Sequence, residues 1–67
     1  MTPTTIRRLC LRLARADGLS GRGALAAGTR RLAEICGVSV RTVEDWLQGR
    51  SRPSGPAQRL IRQVRGP

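Results

Sequence analysis

Residues 32–47 read LAEICGVSVRTVEDWL, and this stretch decides how the chain folds. Leu32, Ala33, Ile35 and Cys36 recur at the spacing of one helical face, and Gly37 stands where that pattern stops. Glycine supplies the positive φ that a tight helix exit requires. Ser39 then offers a side-chain acceptor to a new helix, in which Val43, Trp46 and Leu47 share one face while Arg41, Glu44, Asp45 and Gln48 point away. Ala33, Gly37, Val38, Val43 and Trp46 together read as a helix-turn-helix. A small residue lets two helices cross closely, a left-handed residue turns the chain, and apolar side chains plug the wedge.

After this stretch, Arg50-Ser51-Arg52-Pro53 reads as a basic loop. Ser54 can cap a last helix with Pro56 in its first turn, Ala57, Leu60, Ile61 and Val64 inward, and Gly66-Pro67 as its end. Upstream, the second helix is predicted from about Thr29 to Cys36. From Asp17 to Gly28 the chain has four glycines and a serine, with Leu19 and Leu25 as its only large apolar residues, so a loop with at most a short helical turn is expected. Thr2 and Pro3 read as the N-cap and first residue of a first helix that carries Ile6, Leu9, Cys10 and Leu13 on one stripe and ends near Ala16, with Gly18 as its stop. Arg8, Arg12 and Arg15 fall on the opposite, solvated face. Leu11 sits ~140° from Ile6 and is a candidate subunit contact, as are Leu60 and Val64. The expected fold is all-α: one domain spanning 1–67, a compact four- to five-helix bundle containing the helix-turn-helix.

At 67 residues the chain buries only about 60% of its unfolded surface, so stability is marginal or completed by a partner subunit. Its 13 basic residues, all Arg, stand against Asp17, Glu34, Glu44 and Asp45, for a net charge of +9. A polyanion is the partner such a balance implies, against the plainer reading that the charge only confers solubility. Cys10 and Cys36 lie on apolar stripes and no His accompanies them, so buried reduced thiols are expected and neither metal nor cofactor. No apolar run approaches the ~20 residues of a membrane span and the N-terminus lacks a secretory h-region, which places the chain in the cytoplasm as an expectation. His, Tyr and Lys are absent and the only neighbouring carboxylates, Glu44 and Asp45, face different ways, so binding rather than catalysis is expected.

The outward face of the third helix offers Ser39, Val40, Arg41, Thr42, Glu44 and Asp45 to the base edges of a DNA major groove. Arg41 can donate a bidentate pair to guanine, Val40 can meet a thymine methyl, and a carboxylate can accept from a cytosine amino group, each discriminating by ~1–3 kcal/mol. Arg41 and Asp45 also fit an ordinary i,i+4 surface pair worth ~0.2–0.5 kcal/mol. The helix dipole disfavours a cation in the first turn, however, and a DNA ligand explains Arg41 there. Thr29, Arg30 and Arg31 before this helix, and Arg50, Ser51, Arg52 and Ser54 after it, are candidate phosphate donors. Trp46 is spaced for the core rather than for stacking on an unpaired base.

Residues from about Thr29 to Ile61 resemble the xenobiotic-response-element, or Cro/CI-type, helix-turn-helix family. The segment GVSVRTVEDWLQGRSRPSGPAQRLI is similar to small regulators of phages and mobile elements, including antitoxin autoregulators and anti-CRISPR-associated repressors. The resemblance implies base reading by Val40, Arg41, Glu44 and Asp45, and repression by a homodimer on an inverted-repeat operator in double-stranded DNA. Three other classes compete: a phage packaging or antitoxin-type adaptor, a membrane-active cationic peptide, and a non-specific or single-stranded nucleic-acid binder.

Overall fold

Thr2 opens the first helix by accepting, through its hydroxyl, the backbone N–H of Thr5 at 3.2 Å, with Pro3 at the first helical position. The structure, a computed structural model, describes residues 2–65. Its four helices are α1 (Pro3–Ala16), α2 (Ala24–Cys36), α3 (Val40–Gln48) and α4 (Gly55–Arg65). Gly66 and Pro67, expected to end the last helix, lie outside the described residues.

The second helix starts five residues before the expected Thr29. Residues 24–27, Ala-Leu-Ala-Ala, are strong helix formers, and that propensity outweighs the glycines on either side. Gly28, expected in a loop, therefore lies within α2. Its missing side chain is a packing feature: a Cβ there would overlap the Cys10 carbonyl of α1. The loop between α1 and α2 shrinks to residues 17–23.

One core joins all four helices. Ile6, Leu9 and Cys10 of α1 meet Leu32 and Ala33 of α2, Val43 and Trp46 of α3, and Ala57 and Ile61 of α4. Burying side chains of this size is worth about 1.5–3 kcal/mol each relative to exposure. Ile35, Leu60 and Val64, expected inward, are half-buried, because the helix faces that carry them are only partly covered. Leu11 is half-buried too, and the exposed large hydrophobics among the described residues are Leu19 and Val40.

Both thiols are free, as expected, but only Cys10 is fully buried; Cys36, in the last turn of α2, is half-buried. Burial pushes both thiols above their ordinary range, so both are protonated at neutral pH.

Candidate nucleic-acid interface

Three residues, Gly37-Val38-Ser39, connect α2 to α3. Gly37 has φ 68°, a conformation that costs any residue with a Cβ about 1–2 kcal/mol. The N–H of Val38 donates to the Ala33 carbonyl at 3.0 Å, closing the α2 end. The Ser39 hydroxyl then accepts the Thr42 N–H at 3.2 Å and lies 3.0 Å from the Thr42 hydroxyl. Ser39 thus caps α3, whose Val43 and Trp46 are buried.

With Val43 and Trp46 held in the core, the other side of α3 faces outward. Val40, Arg41 and Glu44 are exposed, and Thr42 and Asp45 are half-exposed. Asp45 gathers two cations: its Oδ1 lies 3.6 Å from Arg41 Nε and 4.0 Å from Arg50 Nη1. Arg50 returns because Gly49 (φ 77°) reverses the chain and the Arg50 N–H donates to the Asp45 carbonyl at 2.9 Å. The side chains of Arg41 and Arg50 are 75% and 64% exposed, so pairs of this kind contribute about 0–1 kcal/mol to the fold. One carboxylate is thus shared between two exposed guanidinium groups.

Of the seven expected phosphate donors, Thr29 is removed by burial. Its position in mid-helix is a consequence of the early start of α2; it is 4% exposed, and its hydroxyl donates to the Leu25 carbonyl at 2.7 Å. Arg30 and Arg31 are exposed but stand mid-helix rather than at a helix start. They also diverge. Arg30 lines a groove with Val40 and Glu44 of α3, whereas Arg31 pairs with Glu34 at 3.4 Å. Ser51 and Arg52 border a cleft against Thr2 and Pro3 at the start of α1. Ser54 accepts the Ala57 N–H at 3.4 Å, as an α4 cap.

Gln48, expected to point away with Arg41, and two residues of α2 that had been expected in a loop or outside the site also belong to this surface. Gln48 is exposed and lies seven residues after Arg41, on the same side of α3, a relation that helical periodicity alone signals. Leu25 and Ala26 line the groove with Val40 and Glu44, and the helix-forming run at 24–27 is the signal for that placement. No protein-family model matches this chain, and neither a curated protein nor a solved structure does.

Proposed function

We propose that the chain is a double-stranded-DNA-binding helix-turn-helix regulator, a repressor or autoregulator that acts by binding rather than catalysis. The observation that carries this reading is the exposed side of α3: Arg41 stands in the first turn of a helix whose inner side is locked in the core. A cation in a first turn is disfavoured by about 0.3–1 kcal/mol. The exposed Asp45 pair returns about 0.3–0.5 kcal/mol. Fold stability therefore gives no net reason for an arginine at position 41, whereas a guanine edge does. Val40 is an exposed apolar residue beside it, suited to a thymine methyl. Arg30, Arg50 and Arg52 supply phosphate contacts around that reading surface, and Ser39 caps the helix that carries it.

A homodimer would set two such helices into successive major grooves about 34–36 Å apart on an inverted repeat. Selection from a random duplex library at fixed salt tests both parts. The expected product is a motif with two related half-sites about one helical turn apart. Enrichment of no motif would remove the regulator reading, and a single asymmetric motif bound by monomer would remove the dimer.

A further inference from the structure

The excess charge of the molecule is not where the reading surface is. Residues 24–52 carry five arginines against three carboxylates, Glu34, Glu44 and Asp45. α1 and α4 carry the other extreme: Arg7, Arg8, Arg12 and Arg15 on one, Arg59, Arg62 and Arg65 on the other, and no Asp or Glu in either. These seven charges are most of the net +9.

Four of them form one patch. Arg8, Arg12 and Arg65 line a cleft with Thr5, and Arg8, Arg12 and Arg15 border a second, shallower one. The two helices are tied there by Arg12, whose Nη1 donates to the Arg65 carbonyl at 3.4 Å. All four arginines are exposed, and among the described residues none pairs with a carboxylate. Arg8, Arg12 and Arg15 project from the side of α1 away from Ile6 and Cys10, as Arg41 projects from the side of α3 away from Val43. The two surfaces thus look outward from different walls of one core.

We propose that this α1–α4 patch is a second phosphate-backbone site, able to hold a duplex segment independently of α3. Like charges gathered without counterions repel one another, and a polyanion relieves that repulsion. Leu11, half-buried, is the one large apolar side chain that is not fully buried along the two clefts and no aromatic residue lines them, whereas protein interfaces have an apolar, aromatic-enriched centre and protein–DNA interfaces are polar and strongly cationic. An acidic protein is therefore the poorer occupant. A membrane is poorer still: the apolar side of α1 is already committed to the core and cannot enter a bilayer. Lacking an aromatic platform, the patch reads backbone charge and not sequence.

The test compares the full chain with an R8Q/R12Q/R15Q variant and with an R41Q/R50Q/R52Q variant, using short random-sequence duplexes. The slope of log K against log salt should shrink in magnitude by about 2.7 in the first variant, at ~0.9 for each phosphate no longer neutralised. Energy transfer between donor-labelled and acceptor-labelled duplexes should appear with the wild type and vanish with the first variant, while that variant still binds one duplex. The second variant should keep the salt slope that belongs to α1. Loss of all binding in the second variant, or an unchanged slope in the first, overturns the proposal. If only the α1 variant loses slope, the reading of α3 fails and this one stands. A changed sedimentation coefficient of the first variant without DNA would assign the missing transfer to failed self-association and also overturn it, as would polyglutamate or anionic vesicles binding the patch more tightly than duplex. Should the triple variant lose helicity, R8Q/R15Q serves instead, because neither side chain makes a hydrogen bond among the described residues, and its expected loss of slope is about 1.8.

Discussion

Gly28→Ala is the substitution most sensitive to how α1 and α2 meet. In an isolated helix it would stabilise by about 0.8–1.0 kcal/mol, because alanine is the better helix former. Here the three atoms nearest the new methyl group all belong to the Cys10 backbone, so no side chain can rotate out of the way. Relief requires α1 and α2 to separate, which loosens the packing of Ile6, Leu9 and Cys10 on Leu32. Overpacking usually costs about 1–3 kcal/mol, and contact with helical backbone belongs at the upper end. Less the propensity gain, the net loss is about 2 kcal/mol, against a total stability of roughly 3–10 kcal/mol for a chain this long. The melting temperature should fall by roughly 8–16 °C. Gly55→Ala is the comparison: nothing beyond its chain neighbours stands within 4 Å of its added Cβ, so its effect is limited to the local backbone gain and the opposing restriction from Pro56, and should stay within about 1 kcal/mol of zero. Urea and thermal unfolding followed by helical circular dichroism measure both. Equal, stabilising shifts for the two variants would refute the close approach of α2 to α1 at Cys10.

Other expected outcomes follow from single features of the site and core. Gly37→Ala should destabilise by about 1–2 kcal/mol through the left-handed φ alone, since its Cβ would meet nothing, and Gly37→Asn should cost less; equal urea midpoints for the wild type and both variants would contradict this. Ser39→Ala should remove the α3 cap at a cost of about 0.5–2 kcal/mol, read as a lower urea midpoint at unchanged slope. Cys36, half-buried, should react with a thiol reagent well before Cys10; the reverse order would place Cys10 nearer solvent than its burial allows. Because burial raises both thiols in the folded state, the stability they contribute is intact below the unfolded thiol pKa of about 9.0 and is lost as pH rises from there toward the higher folded values; a urea midpoint flat through that window would count against it. On the proposed function, Arg41→Ala should relax base preference while Arg52→Ala weakens all sequences alike and lowers the salt slope by about 0.9; identical effects on cognate and random duplexes would remove the distinction.

Most of the four-helix architecture was legible because its ends are written in short-range chemistry. Thr2-Pro3, Ser39 and Ser54 are caps, and Gly37 and Gly49 are exits; each acts on residues three or four positions away, within reach of pattern reading. The start of α2 was not legible in the same way. It lacks a side-chain cap, and Gly28 acts on Cys10, eighteen positions away in sequence, so its role is tertiary and its local reading as a breaker was the wrong one. That single displacement carried Thr29 from a helix start into the core and left Arg30 and Arg31 in mid-helix. Asp45 shows the same limit. Its i,i+4 relation to Arg41 is periodic and visible, but its second partner, Arg50, arrives only because Gly49 reverses the chain.

On the proposed function, the division of charge bears on how so small a chain would combine affinity with selectivity. Affinity for any duplex scales with phosphates neutralised and is blind to sequence, so a reading surface crowded with arginines would bind everything well and discriminate poorly. Around α3 the carboxylates Glu44 and Asp45 oppose that outcome. In the proposed complex both would repel phosphate oxygens wherever the helix lies out of register, and Asp45 pairs with Arg41 and Arg50. In the proposed complex, base-edge contacts would then supply the binding that generic attraction does not. On the proposal made above, the seven arginines of α1 and α4, which have no Asp or Glu in either helix, would carry the generic attraction. Moving a carboxylate onto α1 and removing one from α3 would leave the net charge unaltered and still shift the balance from selective toward indiscriminate binding, because what matters is where the charge stands and not its sum.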